Sequence, residues 1–181
     1  MTPSLLLDEI CPLFPQHRSF ALLDAARDER IYPALITADC NWVSLYRGDA
    51  AARMAEVAPY LVELERDSEF ASWLFREGWG NSWGIFLRSA ATLQIVRGHL
   101  RRFIMAKLSD GRSVYFRFYD PRVLRAYLPT CIEEEVQSFF GPVERYAMES
   151  DDGELLLTFE QSDGILIKGR MRATKPQPPP C

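Results

Sequence analysis

The sequence predicts one α+β (mixed α/β) domain with a mixed or mainly antiparallel sheet, β-hairpins and packed helices. Three features of its 181 residues carry that expectation. Short apolar runs bounded by turn residues recur along the chain and read as buried strands. Between them lie stretches whose apolar residues repeat at helical spacing. An Asp-Gly pair also sits between two apolar runs near the middle, a strong hairpin signal because glycine accepts the positive φ that a type I′ turn demands. A chain of this length supports one sizeable core, and no internal repeat or linker divides it. The expected organisation is an N-terminal segment over residues 1–17, a domain over 18–172 and a Pro-rich tail over 173–181.

Ser19–Asp24 reads as the first buried strand and Trp42–Tyr46 as the second, with Tyr32–Leu35 a short helical or irregular crossover between them. Ala50–Val57 is helical by propensity and is stopped by Pro59. Tyr60–Leu64 is a further strand. Ser68 caps a helix from Glu69 to about Arg76, whose Phe70, Trp73 and Leu74 share one face. A loop bearing Trp79 and Trp83 and punctuated by Gly78, Gly80 and Gly84 leads into an Ile85–Leu87 strand. Ala90–Arg102 is helical, with Leu93, Val96 and Leu100 on one side and Arg97 and Arg101 on another.

The hairpin follows. Phe103–Leu108 and Ser113–Tyr119 flank Ser109-Asp110-Gly111-Arg112, and the Asp110-Gly111 pair predicts a two-residue turn. Asp120 then caps a helix that starts at Pro121 and runs to about Leu128. Thr130-Cys131-Ile132-Glu133 reads as a capping box that opens a helix carrying Val136, Phe139 and Phe140 and ending at Gly141-Pro142. Val143–Glu149 and Glu154–Gln161 are strands joined by Asp151-Asp152-Gly153, and Ile165–Ile167 adds a last one. The tail Lys175–Cys181 joins neither sheet nor helix and is expected to be extended and mobile.

Composition narrows the function classes. The net charge is −4 and the pI near 5.3, which argues against phosphate-backbone binding as the main task. No run approaches the roughly 20 apolar residues of a membrane span, and the N-terminus lacks the basic leader of a signal peptide. Cys11, Cys40, Cys131 and Cys181 show no CxxC spacing and no adjacent His, so neither a zinc site nor a disulfide framework is expected, and no other cofactor. Reduced thiols and a cytoplasmic location are the simplest reading. Eighteen of the 21 cations are Arg, which suits planar contacts with carboxylates and aromatic rings.

Catalytic constellations are absent from the sequence pattern. It holds no Gly-x-Ser-x-Gly elbow and no P-loop. Gly78–Gly84 superficially resembles a dinucleotide loop but follows a helix and precedes a strand, the wrong order. The densest charged group is Arg117-Phe118-Tyr119-Asp120-Pro121-Arg122, with Arg125 one helical turn on. Its structural reading is that Asp120 caps its helix while an Arg pairs with it and holds hairpin against helix. Its functional reading is a carboxylate-recognising cluster of Arg117, Arg122 and Arg125, joined by Arg101. Trp79 and Trp83 are read as core, with partly exposed partner contacts as the alternative. The candidate protein-binding residues are therefore Trp79, Trp83, Arg117, Arg122 and Arg125. Asp110, Gly111, Asp120, Pro121, Thr130 and Glu133 are expected to be structural.

The order of motifs also carries a resemblance. Phe20-Ala21-Leu22-Leu23-Asp24-Ala25-Ala26-Arg27, Ala58-Pro59-Tyr60-Leu61-Val62, a Trp-Gly turn and a helix ending His99-Leu100-Arg101-Arg102 come first. Asp110-Gly111, Phe116–Leu124 with its Arg-Phe-Tyr-Asp-Pro-Arg run, Tyr127-Leu128-Pro129 and Phe139-Phe140-Gly141-Pro142 follow. Over roughly residues 18–150 the chain resembles the effector-chaperone (adaptor) family of the bacterial type VI secretion system, the Tap or TEC proteins. The resemblance implies a non-enzymatic cytoplasmic protein. Its partners would be a cognate toxic effector and the valine-glycine-repeat spike protein onto which that effector is loaded. Partner specificity would then reside after Glu149, outside the matched stretch. Two other classes compete with this expectation. A hydrolase or transferase would need an ordered pocket joining His99, Arg117 and Asp120. A structural subunit of a larger assembly would associate tightly and stoichiometrically rather than capture cargo.

Overall fold

Side chains alternate across a strand, so a strand covered on both faces must be apolar throughout. Phe20-Ala21-Leu22-Leu23 meets that demand at the centre of the fold, each residue at most 1% exposed. The computed structural model describes residues 5–11, 16–107 and 110–173. In chain order its elements are α1 (Leu5–Ile10), β1 (Arg18–Asp24), α2 (Ile31–Thr37), β2 (Trp42–Ser44), α3 (Gly48–Arg53), β3 (Pro59–Leu64), α4 (Glu69–Gly78) and β4 (Gly84–Ser89). Then come α5 (Leu93–Leu100), β5 (Met105–Lys107), β6 (Ser113–Tyr115), α6 (Pro121–Tyr127), α7 (Glu133–Phe140), β7 (Arg145–Glu149), β8 (Leu155–Ser162) and β9 (Ile165–Arg172). Seven strands form one sheet in the order β2-β3-β1-β4-β7-β8-β9, and β5-β6 make a separate ribbon. Every pairing is antiparallel. The expected α+β domain is therefore what the chain forms.

The alternation along the strands feeds two cores. Ala21, Leu23, Val62 and Phe86 face α1, α2 and α4, meeting Leu6, Ile10, Ile31, Leu35, Leu74 and Phe75. Phe20, Leu22, Leu61, Ile85 and Tyr146 face the other way, onto Val96 and Leu100 of α5, Leu124 of α6, and Val136, Phe139 and Phe140 of α7. Each large apolar side chain so buried contributes about 1.5–3 kcal/mol, and the sheet is the partition between two helical layers. Leu6 and Ile10 lie inside the first core, so the 1–17 segment lends a helix to the domain rather than merely preceding it. On the same side ion pairs tie α1 to the sheet, Glu9 to Arg145 of β7, and to the turn after β3, Asp8 to Arg66.

Several local expectations need correction. The hairpin exists, but Lys107 pairs with Ser113, so residues 108–112 separate the strands instead of a two-residue turn. Asp110 Oδ1 accepts from Arg112 N (3.0 Å) and Gly111 takes φ +84°, which bends that loop. The second run leaves the ribbon after Tyr115: one more bond in register, from Phe116 N to Ile104 O (2.8 Å), is followed by Phe118, which enters the core. The α7 cap sits two residues later than the capping box predicts. Ile132 N donates to the Glu135 side chain (3.0 Å), while Thr130 Oγ1 donates back to Tyr127 O (2.7 Å), closing the previous turn. Glu133 is thus the first helical residue rather than a capping partner. The 90–102 helix is shorter than its pattern, α5 ending at Leu100 and passing into a 3-10 turn over Arg101–Phe103. The last strand is longer than its apolar run, because β9 is an edge strand with most of its residues solvated and needs few apolar side chains. The tail expected to be mobile lies outside the described residues from position 174 on.

Candidate functional site

The Arg-Phe-Tyr-Asp-Pro-Arg run lies at the C-terminal end of β1, its four central residues buried and its two arginines exposed. Phe118 and Tyr119 are buried at 0% and 3% exposure, Phe118 edge-on to Phe139 at 5.7 Å. Arg117 reaches across 93 residues of sequence to pair with Asp24, the last residue of β1. The hydrogen bond and charge of Asp24 hold the Arg117 guanidinium above its ordinary pKa. Asp24 is itself almost fully buried and accepts from Ala26 N (3.2 Å), so one carboxylate caps a 3-10 turn and anchors the run. The Tyr119 hydroxyl pKa is pushed up by burial, then by Tyr46 and by the charge of Asp24.

Asp120 caps α6 as expected. Its Oδ1 accepts from Arg122 N (3.0 Å) and Nε (2.9 Å), and its Oδ2 from Arg122 Nη2 (2.6 Å). Burial raises its pKa, but the hydrogen bonds and charge of Arg122, with that of Arg117, outweigh it and leave the carboxyl below its usual range. The pairing Arg belongs to Asp120's own helix, so the tie between this run and the rest of the fold is made by Arg117 and Asp24 instead. Asp120→Ala is expected to lower stability by about 1–2 kcal/mol, and Asp120→Asn or Asp120→Ser by clearly less. Denaturant unfolding of the three variants checks this; equal stability in all of them would remove the cap from the account.

The tryptophan loop is core, and the partner-contact alternative for it fails. Trp79 is 2% exposed and Trp83 3%, so neither ring offers a face to another molecule. Trp79 Nε1 donates to Gly153 O (2.8 Å), and Trp83 lies between Trp73, at 5.2 Å, and the Arg30 guanidinium, at 5.0 Å. The loop backbone is gripped by Glu149, which is 6% exposed. Glu149 Oε2 accepts from Gly80 N (2.5 Å), and Oε1 from Ser82 N (2.8 Å) and Ser82 Oγ (3.2 Å). A glycine-rich loop that bends its N–H groups toward one point is an anion cradle, and here the anion is the protein's own.

The three arginines do not converge on an open carboxylate site. Arg117 is spent on Asp24, Arg122 on Asp120, and Arg125 on Asp151 and Glu149 O (3.2 Å). Arg122 nevertheless stays half exposed beside a groove of about 750 Å³ between α6 and β8-β9. Arg101 has one guanidinium nitrogen buried without a hydrogen-bond partner. His99 is buried, its Nε2–H donating to Phe139 O (2.8 Å), and burial lowers its pKa. His99 and Asp120 therefore have separate partners and no shared hydrogen bond. Burial pushes the Cys11 thiol up to about 11, which keeps it unreactive. Among the described residues no three His, Cys, Asp or Glu side chains are placed to hold a metal ion, and no helix is long and apolar enough to cross a membrane.

Sequence reasoning missed Asp24 and Glu149, two of the three buried carboxylates that organise the site, and the cations Lys168 and Arg170 on the groove wall. Asp24 did carry a signal: it is the charged residue that closes the apolar run Phe20–Leu23.

Fold and site together define a mixed α+β domain, built on an antiparallel sheet with helices on both faces, whose most distinctive motif is locked to the end of its central strand. Residues 19–138 match the family model described as Domain of unknown function (DUF4123), and the chain belongs to that family. No curated protein and no solved structure matches it.

Proposed function

We propose that the chain is a non-enzymatic cytoplasmic adaptor that captures a specific type VI secretion effector and helps load it onto the valine-glycine-repeat spike protein. The observation that carries this reading is the coincidence of two spans. The family match over residues 19–138 falls on the stretch whose ordered motifs, from Phe20 to Pro142, resemble the effector chaperones. The chemistry of the motifs is compatible with a binding role. Their polar groups are consumed in fixing the fold, which leaves recognition to the surface around them.

Co-expression with a candidate effector from the same genome is the test. A soluble complex should co-purify and survive gel filtration at micromolar concentration, and its interface should bury more than about 1,000 Å² in total. If both proteins are folded and still separate cleanly at that concentration, the adaptor reading is wrong.

A further inference from the structure

The groove beside α6 has a composition unlike the rest of the surface. Its floor is Leu157 and Phe159 of β8, one wall is α6 with Arg122 and Ala126, and the other is β9 with Lys168 and Arg170. The sheet register explains the juxtaposition. Leu157 lies directly opposite Arg170 and Phe159 opposite Lys168, so the two cations stand beside the apolar floor on the same face of the sheet. This face is the one covered elsewhere by α5, α6 and α7, and at the outermost strand it lies open.

The charge of the groove is opposite to that of the molecule. Arg122, Arg125, Lys168 and Arg170 line it against a single acid, Asp151, in a chain of net charge −4. Asp151 is taken by Arg125 and Arg122 by Asp120, whereas neither Lys168 nor Arg170 has an ion-pair partner among the described residues. Cations on an edge strand also deter strand pairing between copies, and two β9 edges side by side would set Lys168, Arg170 and Arg172 against their own kind. A nucleic acid is a poor fit to an apolar floor in an acidic protein.

We propose that this groove takes an acidic segment of a protein partner, which sets apolar side chains on Leu157 and Phe159 and carboxylates against Lys168 and Arg170. This assignment deepens the adaptor reading and rests on it for the identity of the partner as an effector. It also puts the floor and the cationic wall of the recognition surface on β8-β9, beyond the stretch that matches the family, while the α6 wall lies within it.

The probe is a fluorescein-labelled peptide alternating Glu and Leu, titrated with the full chain and read by anisotropy. Peptides alternating Gln and Leu, and Lys and Leu, serve as controls. The acidic peptide should bind at least about tenfold more tightly than the neutral one and weaken as salt rises. Lys168→Glu/Arg170→Glu should lower its affinity by about tenfold or more. Ala126→Trp should do the same by filling the groove without changing charge. All three positions are exposed, so both variants should keep the wild-type unfolding midpoint. Absent binding of the acidic peptide, or unchanged binding in both variants, overturns the proposal. So does tighter binding of an oligothymidylate competitor, or a dimer of the wild-type chain that the β9 reversal disperses. Effector capture that fails while the Glu-Leu peptide still binds sinks the adaptor reading and leaves the groove. Effector capture that both variants leave intact removes the groove as the docking site.

Discussion

Glu149→Ala is expected to destabilise the fold by about 2 kcal/mol, because two backbone donors lose a charged acceptor and hydrogen bonds to charged groups contribute roughly 1.5–3 kcal/mol. The donors are Gly80 N and Ser82 N, which lose their acceptor while the loop still holds them inward. Gly80 is exposed and Ser82 half-buried, so water recovers part of the loss, while the buried Trp79 and Trp83 on either side keep the loop in place. The loop is also held from the β7-β8 turn, through Trp79 Nε1 to Gly153 O and the close approach of Gly80 and Gly153. Loosening one anchor therefore strains the other. Glu149→Gln keeps the shape and one carbonyl acceptor but turns an NH₂ toward a backbone N–H, and about half the loss should remain. Urea unfolding followed by tryptophan fluorescence measures both variants, since the loop carries its own reporters. An alanine variant within about 0.5 kcal/mol of wild type, an ordinary surface value, would show that the cradle contributes nothing.

The same carboxylate shows where sequence reasoning runs out. Phe20–Leu23 announces a strand buried on both faces through its unbroken apolar run, and Ser68 announces a helix start, its hydroxyl accepting from Ala71 N (3.1 Å). Local chemistry of that kind is legible because both partners lie within a few residues of each other. Glu149 and Gly80 are 69 positions apart, and Arg117 and Asp24 are 93 apart. Nothing in spacing or periodicity pairs them; only the strand order does, by bringing β1, β4 and β7 side by side. The cost of that gap is visible at the tryptophans. Glycines around aromatic rings look like an exposed loop until an acceptor for their N–H groups is found, and that acceptor comes from another strand. Lys168 and Arg170 are hidden differently. Their strand buries little, so it lacks the apolar alternation that would place them on a face.

Gly141→Ala is expected to cost about 3 kcal/mol, from backbone strain and a steric clash acting together. Gly141 ends α7 at φ +49° and ψ −116°, a conformation that a side chain disfavours. A methyl group there would also stand 2.3 Å from His99 Cε1 and 2.7 Å from Nδ1, far inside contact distance. The ring cannot simply swing away. Its Nε2–H holds Phe139 O at 2.8 Å, and it packs edge-on against Phe103 at 5.2 Å. Displacing it would break that bond in the second core and leave Phe139 O to the Tyr146 hydroxyl alone (3.1 Å). A double-mutant cycle separates the two contributions. In a His99→Ala background the methyl group meets no ring, so Gly141→Ala should then add only the backbone strain, about 1–2 kcal/mol. If the substitution costs the same in both backgrounds, the ring gives way freely and the steric account is wrong. A smaller cost beside alanine would make His99 a packing residue that requires glycine at the end of α7. The paired His-Gly motif near Leu100 and Phe140 would then be conformational in origin.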